Sequence, residues 1–214
     1  MPPYLPPDLM IAQSFPQNTT AILLGSGFGR DRTEAFQSVC AQIKAHKDAG
    51  IVLDADAFYY GDIVKLLDVL SKRRTRVILT PHPKEFQSLL KLCALGDYTI
   101  GELADDRIEI VKKFSERFPH IVLVLKGANT VIASERGVFV SVEGNQSLAK
   151  AGSGDVLAGL ICALLAQQYD AEDAAVTAVL AHGIASKRFA RSYNLTPPKL
   201  IDAVGSLMNE LQPV

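Results

Sequence analysis

The sequence predicts an α/β fold with a mostly parallel central sheet and helices on both faces of that sheet. Three observations lead to this prediction. Short runs of β-branched and leucine residues alternate with longer segments of helical periodicity, as expected when helices connect neighbouring parallel strands. Most of these runs end in glycine or polar residues, and two of the helical segments are almost entirely apolar. Such helices are expected to be buried on most sides.

Seven short apolar runs are predicted to be strands. The last two are expected to form an antiparallel pair, because Glu135, Arg136 and Gly137 supply a turn between them. The predicted strands are Leu9–Ala12, Ala21–Leu24, Ile51–Leu53, Arg76–Leu79, Ile121–Leu125, Val131–Ala133 and Val138–Val142.

Helical segments fill the intervals between these strands. One helix is predicted to begin after Thr99, since Thr99 and Glu102 have the spacing of a capping box. The apolar residues expected on its packing face are Leu103, Ile110, Phe114 and Phe118. Val156–Leu165 and Ala174–Leu180 are the two nearly continuous apolar segments, which predicts buried helices.

The composition is that of an ordinary globular protein. At 214 residues, of which 48% are hydrophobic and 21% charged, the chain can bury one sizeable core, and we predict a single domain over residues 1–214. The 22 basic and 23 acidic residues nearly cancel and form no long run of one sign, so nucleic acid and anionic membranes are not expected as partners. No apolar run approaches the roughly 20 residues of a membrane-spanning helix.

The cysteines and the first residues indicate the cellular compartment. Cys40, Cys93 and Cys162 are odd in number and widely spaced within apolar or helical stretches, which favours buried thiols over disulfides or zinc ligands. The first ten residues have neither the basic segment nor the apolar core of a signal peptide. A cytoplasmic protein is therefore predicted.

Five loops have unusual compositions, and four of them follow predicted strands. Ligands of open parallel sheets bind beyond the carboxyl ends of the strands, so these loops are the candidate functional segments. They are GSGFGRD at 25–31, DADAF at 54–58, TPHPKE at 80–85, KGANT at 126–130 and NQSLAKAGSGDVLAG at 145–159.

The last loop places Gly152, Ser153 and Gly154 directly before Asp155 and a long apolar segment. Free N–H groups at a helix start attract anions, and glycine lets a phosphate approach the backbone closely. We predict an anion hole at these three residues, with the Asp155 carboxylate placed to take a proton from an attacking hydroxyl. The alternative, which the motif alone favours, is a plain helix cap.

His82 stands between two prolines after a predicted strand, so its backbone and imidazole have few conformations. We interpret it as a ligand contact, and a purely structural histidine is the alternative. The segment GSGFGR is similar to a dinucleotide-binding fingerprint, but its third glycine comes one residue early. It is interpreted as a turn that brings backbone amides to a ligand, and a tight strand-to-helix connection explains it equally well.

The KGANT segment offers an ammonium group, a glycine and two polar side chains within five residues, which indicates contact with a phosphate or nucleotide. A polar turn that enters the hairpin is the alternative. Asp54 and Asp56 follow a predicted strand, and one of them is expected to face the cleft. Asp54 is the candidate ligand for hydrated Mg²⁺, with helix capping as its alternative role.

Taken in order, five segments resemble the ADP-dependent NAD(P)H-hydrate dehydratases, the ribokinase-like domain of the YjeF type. These segments are GSGFGR, VLDADAF, ILTPHPKEF, VLKGANTVIA and GNQSLAKAGSGDVLAGLICALLAQ. The resemblance covers most of the chain. It implies a ribokinase-like fold and an enzyme that removes water from the hydrated nicotinamide ring of NAD(P)H hydrate. ADP, or ATP, would be cleaved in the reaction, with Mg²⁺ as cofactor.

The resemblance also implies residue roles. The nucleotide would be bound by Lys126, Gly127, Ala128, Asn129, Thr130 and Gly154. The hydrated dinucleotide would be bound by Gly27, His82 and Asp155, with Asp155 as the general base. Asp155 and His82 are therefore expected to open onto one cavity.

Compared with this family, the chain is expected to lack the first strands of the domain and the epimerase domain that often precedes it. A homo-oligomer, a tetramer by resemblance, is also expected. Two other functions stay open on the sequence alone. The first is a ribokinase-like kinase for a vitamin precursor, which would use the same Asp155 and helix start. The second is a non-catalytic fragment that binds ADP.

Overall fold

The computed structural model describes residues 11–189 and 191–207. Within these ranges, six strands form one sheet whose spatial order is the order of the sequence. The first four strands are parallel, and the last two are antiparallel to their neighbours. The strands are β1 Ala21–Leu24, β2 Gly50–Leu53, β3 Val77–Leu79, β4 Ile121–Leu125, β5 Val131–Ser134 and β6 Gly137–Val140.

Helices cover both faces of the sheet. The α-helices of the described ranges are α1 Thr33–Ala45, α2 Asp62–Lys72, α3 Pro83–Leu92, α4 Ile100–Asp105, α5 Arg107–Arg117, α6 Ser153–Ala166, α7 Ala171–Ser186 and α8 Pro197–Gly205. Short 3₁₀ segments lie at Ala55–Tyr59, Gln146–Leu148 and Ser192–Asn194. None of the helices in the described ranges is long and apolar enough to cross a membrane.

The sheet separates two apolar cores because side chains alternate along each strand. Ile51 of β2 belongs to the core under α1–α5, together with its register partners Ile22 and Val77. Val52, the next residue, belongs to the core under α6 and α7 with its register partner Ile78. A parallel strand that is covered on both faces must be apolar throughout, which explains the continuous apolar runs of the sequence.

Six of the seven predicted strands are confirmed to within a few residues. The exception is Leu9–Ala12. Leu9 and Met10 lie outside the described residues, and Ile11 and Ala12 are exposed and not in a strand. A short apolar run becomes a strand only where a neighbour pairs with its backbone, and β1 pairs with β2 alone among the described strands.

The capping box at Thr99 is confirmed, since the Thr99 side chain accepts the Glu102 N–H and the Glu102 carboxylate accepts the Thr99 N–H. The single helix predicted after it is wrong in one respect. Asp106, with φ −101° and ψ 21°, interrupts the segment and separates α4 from α5. Aspartate is a poor residue for a helix interior because its side chain competes for backbone donors.

Candidate active site

The four loops that follow β1 to β4 meet at one edge of the sheet, because parallel strands end on the same side. Gly25 shows how closely the first two loops approach. Its φ is +125°, and a Cβ atom at this position would lie 1.7 Å from the Asp54 carbonyl oxygen. Only glycine fits this contact. The GSGFGR loop is therefore packed directly against the DADAF loop.

Asp56 holds the tip of the first loop. Its carboxylate accepts the Gly29 N–H at 3.0 Å and the Arg30 Nε–H at 3.1 Å. The Arg30 guanidinium also lies over the ring of Tyr59, 3.6 Å from the ring centroid. Gly27, predicted to contact substrate, lies exposed in the same loop with φ +66°. These contacts give the loop a defined shape around Gly27.

Lys126 joins the loops at the centre of this edge. Its Nζ lies 2.8 Å from Asp54 Oδ1 and 3.9 Å from Glu85 Oε2. The same Asp54 oxygen accepts the Thr80 hydroxyl at 2.8 Å, and Ser26 donates to the other oxygen at 3.3 Å. Side chains from three loops meet here. We call them the Lys126 cluster, which consists of Asp54, Thr80, Glu85 and Lys126.

Asp54 does not fit the Mg²⁺ ligand that the sequence suggested. Asp54 is 1% exposed, and both of its carboxylate oxygens accept protein hydrogen bonds. The Lys126 ammonium group, 2.8 Å from Oδ1, would repel a divalent cation bound to this carboxylate. Within residues 11–189 and 191–207, no cluster of three or more His, Cys, Asp or Glu side chains could hold a metal ion. Asp54 and Asp56 both contact the first loop, because the chain enters a 3₁₀ segment at Ala55 and the strand alternation does not continue.

His82 is the N-cap of α3 and forms a capping box with Glu85. Its Nδ1 accepts the N–H groups of Lys84 and Glu85, both at 3.2 Å, so the ring proton lies on Nε2. Nε2 is 3.0 Å from Glu85 Oε1. Burial, followed by the charge of Lys126, lowers the pKa of His82, and burial raises the pKa of Glu85. The contact is therefore a hydrogen bond from a neutral imidazole rather than an ion pair.

The start of α6 lies beside the Lys126 cluster. Gly152 is the N-cap with φ +89°, and Asp155 is in the first turn. A Cβ atom on Gly154 would lie 3.2 Å from Lys126 Nζ, so glycine at 154 leaves room for the ammonium group. The fifth loop is thereby connected to the other four. The contacts place a helix N-terminus and a cation side by side, an arrangement that attracts phosphate.

The Ser153 N–H and hydroxyl groups, predicted to belong to an anion hole, already donate hydrogen bonds within the protein. Its N–H donates to the Lys150 carbonyl at 3.2 Å, and its hydroxyl donates to the carbonyls of Leu148 and Lys150. The Ser153 carbonyl lies 2.9 Å from Nε2 of buried His182. Burial is the main cause that lowers the pKa of His182, so a neutral ring donates this hydrogen bond. Ser153 therefore shapes the helix start, and Gly154 is the predicted member of the anion hole that lies next to Lys126.

Asp155 is exposed and borders a groove of about 530 Å³ between α6 and α8. The groove is mostly apolar, with Val156, Pro197 and Ile201 among its lining residues. The sequence predicted that Asp155 and His82 share one cavity. That stays a prediction. The contacts run from His82 through Glu85 and Lys126 to Gly154, the residue before Asp155.

The KGANT loop leaves β4 at Lys126. Gly127, Ala128 and Asn129 are exposed, and the Thr130 carbonyl accepts the Ser141 N–H at 2.8 Å. Five of the six predicted nucleotide-binding residues, all except Gly154, therefore lie in one accessible loop that starts at the Lys126 cluster. Arg107, at the start of α5, donates from its guanidinium to the carbonyls of Leu125 and Asn129 at the two ends of this loop.

Sequence reasoning missed several residues of this region, namely Glu85, Arg107 and His182. Glu85 had a detectable signal, since His82 and Glu85 have the three-residue spacing of a capping box. Arg107 and His182 had none, because their contacts join residues that are 22 and 29 positions apart in the chain.

Comparison with known proteins identifies the family of the chain. The family model described as NAD(P)H-hydrate dehydratase matches residues 5–205. The chain belongs to this family. The chain is 44% identical over 202 residues to the bifunctional NAD(P)H-hydrate repair enzyme Nnr of Helicobacter pylori, and this match covers 94% of the chain and 40% of that protein. It is 34% identical over 198 residues to the ADP-dependent (S)-NAD(P)H-hydrate dehydratase of Neisseria meningitidis. This match covers 92% of the chain and 62% of the Neisseria protein.

A solved structure has the same architecture as this chain. The ADP/ATP-dependent NAD(P)H-hydrate dehydratase of Bacillus subtilis, co-crystallized with ATP and Mg²⁺, matches with a TM-score of 0.72 and 27% identity. The match covers 92% of this chain and 68% of the Bacillus chain. The ribokinase-like α/β fold expected from the sequence is therefore confirmed. The chain spans about two fifths of the Helicobacter protein and about three fifths of the Neisseria protein.

Proposed function

We propose that this chain restores NAD(P)H from its hydrated form, with cleavage of ADP to AMP and phosphate. One observation carries the proposal: the chain matches the dehydratase family over residues 5–205, and the loops that resemble that family meet at one edge of the sheet around Lys126. The relatives named for this activity contain further segments. The activity of the chain by itself is therefore the quantity to measure.

The nucleotide is proposed to bind at the KGANT loop and the start of α6. Lys126 supplies an ammonium group, and Gly127 to Thr130 present backbone and polar groups to the phosphates. Gly154 adds an amide at the positive end of a helix. ADP and ATP both carry the phosphates this site would bind, and Mg²⁺, when bound with them, neutralises phosphate charge. Asp54 is already paired with Lys126, so the role of Mg²⁺ ligand is not assigned to it.

The hydrated nicotinamide ring is proposed to bind between Gly27, the α3 capping box of His82, and Asp155. Asp155 is exposed in the first turn of α6, one residue after Gly154, so its carboxylate can reach a hydroxyl group beside the bound phosphates. His82 has its Nε2–H pointed at Glu85 and is 46% exposed at its side chain. It would contact the substrate at the open side of the ring.

Asp155 is proposed to act as the general base. Its carboxylate accepts the proton of the ring hydroxyl while the hydroxyl oxygen attacks the terminal phosphorus of ADP, and AMP leaves. The ring nitrogen lone pair then breaks the bond between carbon and the phosphorylated oxygen, and phosphate leaves. Loss of a proton from the neighbouring ring carbon restores the double bond of NAD(P)H. Lys126 and the Gly154 amide would stabilise negative charge on the phosphoryl oxygens.

A direct assay tests the proposal. The chain is mixed with NADH hydrate, ADP and Mg²⁺, and the absorbance of NADH is followed. We expect NADH to appear in proportion to ADP consumed. A kinase would consume ATP without recovery of NADH, and a non-catalytic fragment would bind ADP in calorimetry without turnover. Either result would overturn the proposal.

The role of Asp155 is tested by Asp155→Asn, which removes the base and keeps the shape. We expect NADH recovery to fall by about 10² to 10⁴-fold, with ADP affinity close to that of the wild type. The matched control is Asp173→Asn, in the first turn of α7, where the carboxylate pairs with Arg136. That variant should keep its activity. An active Asp155→Asn protein would exclude Asp155 as the base.

We also propose that the chain is cytoplasmic and forms a homo-oligomer. Cys40, Cys93 and Cys162 are free thiols, which supports the proposed cytoplasmic location. Burial raises the pKa of Cys40 and of Cys93 to about 11, so both thiols are poorly reactive. The family resemblance implies a tetramer. Light scattering at several protein concentrations would measure the molar mass and so the number of subunits.

A further inference from the structure

Arg107 has an unusual position for a cationic side chain. It is the first residue of α5, where the helix dipole disfavours positive charge. The guanidinium is partly buried, and this burial lowers the pKa of Arg107. Within residues 11–189 and 191–207, no carboxylate lies within ion-pair distance of it. Dipole and burial both oppose the charge, so its placement needs another explanation.

The contacts of Arg107 all point to one loop. Its NH2 group donates to the Leu125 carbonyl at 3.4 Å and to the Asn129 carbonyl. Leu125 directly precedes Lys126, and Asn129 directly precedes Thr130. One guanidinium therefore holds both ends of the KGANT loop. A Cβ atom on Gly127 would lie 3.0 Å from the same nitrogen. Glycine at 127 therefore gives the guanidinium the space it occupies.

Arg107 and Lys126 also line the same small cavity, of about 160 Å³, below the loop. Apolar side chains such as Phe86, Ile100 and Leu103 form other walls of this cavity. Two cations beside apolar walls raise the local positive potential, because charges are poorly screened where water is excluded. The loop above the cavity is the one to which the nucleotide has been assigned.

We propose that Arg107 is a positioning residue for the nucleotide, holding Lys126 to Thr130 in the shape that binds phosphate. This inference rests on the nucleotide site of the proposed function. It assigns no contact between Arg107 and the reacting atoms. Arg107 acts on the backbone of the loop, so its loss weakens nucleotide binding and leaves the chemical step unchanged once the site is filled.

Two substitutions approach this contact from opposite sides. Arg107→Met keeps an unbranched side chain and removes the donors, while Gly127→Ala places a methyl group against the guanidinium. The matched control is Arg117→Met on the same helix. The Arg117 guanidinium lies 2.6 Å from the Asp68 carboxylate and makes no contact with the KGANT loop. Arg107→Lys keeps the charge but has a single nitrogen in place of the planar fork.

Two measurements are made on each protein: hydrogen exchange of the amides at 126–130 without ligand, and calorimetric titration with ADP. For Arg107→Met and Gly127→Ala we expect exchange in this loop to accelerate by about tenfold or more, and the Kd for ADP to rise by about tenfold or more. Exchange in β2 and β4 should stay at the wild-type rate. Arg107→Lys should recover part of the affinity, and Arg117→Met should match the wild type.

Where turnover is measurable, KM for ADP should rise and kcat should stay constant. The inference is overturned if loop exchange or ADP affinity in Arg107→Met stays within about twofold of the wild type, or if the wild type binds no ADP. A wild-type chain that binds ADP through Arg107 as described but recovers no NADH would overturn the proposed dehydration and leave this inference standing.

Discussion

Single residues at the candidate site have more than one structural task. Lys126 is paired with Asp54 and lies near Glu85, and the absence of a side chain at Gly154 leaves room for its ammonium group. One ammonium group therefore contacts loops from three other parts of the chain. His82 caps α3 with one ring nitrogen and contacts Glu85 with the other. The predicted functional residues are therefore also the ones that hold the loops in position. Substitution of such residues changes stability as well as binding.

The pH dependence of stability follows from His82. Its folded pKa is lowered from 6.5, so the unfolded chain binds its proton first as pH falls. The stabilising effect of neutral His82 is complete above pH 6.5 and is lost as pH falls through the folded pKa. Buried His182 has a lowered pKa as well and acts in the same window. Glu85, whose pKa is raised, acts oppositely, because it favours the folded state most at low pH.

His82→Asn tests this effect, since asparagine keeps an N-cap acceptor but does not titrate. The unfolding free energy from urea titration should fall less between about pH 7.5 and about pH 5.5 than in the wild type. The charged groups that influence His82 in the folded chain, namely Asp54, Lys126 and Arg30, are the same in both proteins. An equal fall in both proteins would contradict the lowered pKa of His82.

At the scale of elements, the start of α6 determines the geometry of the site. Gly152 has φ +89°, and a Cβ atom there would lie 2.6 Å from Pro197 Cγ at the start of α8. Ser153 and His182 then tie the first turn to the preceding loop and to α7. The helix start is thus held by contacts with two other helices. Its amides are placed by packing as well as by the local GSGD sequence.

Gly152→Ala should destabilise the chain by about 1–3 kcal/mol, because alanine is strained at positive φ and its methyl group meets Pro197. ADP affinity should fall as well. Gly159→Ala is the matched control on the same helix. Apart from the neighbouring residues and backbone of α6 itself, no atom lies within 4 Å of a Cβ at 159, so that substitution should stabilise the helix by about 0.5–1 kcal/mol. Urea unfolding measures both, and equal effects would contradict this account of the helix start.

At the scale of the whole molecule, the two ends of the parallel strands have different roles. The carboxyl ends of β1 to β4 carry the candidate site. At the opposite end, Arg76 precedes β3 and donates to the carbonyls of Asp48, Leu165 and Tyr169. One guanidinium thus joins the α1–β2 connection to the end of α6. Stability at this end should be separable from binding at the other.

Arg76→Met should lower the unfolding free energy by about 1–3 kcal/mol, because three carbonyls lose a charged donor. The ADP affinity of the folded protein should be unchanged, since Arg76 lies at the other end of the sheet. Arg74→Gln, at an exposed position in the same turn, should change stability by no more than about 0.5 kcal/mol. Urea unfolding and calorimetry give the two quantities, and a loss of ADP affinity in Arg76→Met would show that the ends are coupled.

Much of the fold was predictable because it depends on local patterns. Apolar runs such as Ile121–Leu125 indicate strands that are buried on both faces, and β4 has these bounds. Glu135 to Gly137 indicated the turn between β5 and β6. The break at Asp106 was missed, because the apolar spacing continues through it and only a local backbone preference interrupts the helix.

The sequence by itself determined the α/β class, the six strands of the described sheet and the loops at their carboxyl ends, since all of these follow from apolar periodicity and turn residues. Only the tertiary structure decided which polar side chains are partners. Lys126 meets Asp54 across 72 positions of the chain, and this contact makes Asp54 an ion-pair partner where the sequence allowed a metal ligand. Arg107 likewise reaches its carbonyl partners only after α5 packs against the sheet. Such contacts depend on distances between remote segments, which no local pattern in a sequence encodes.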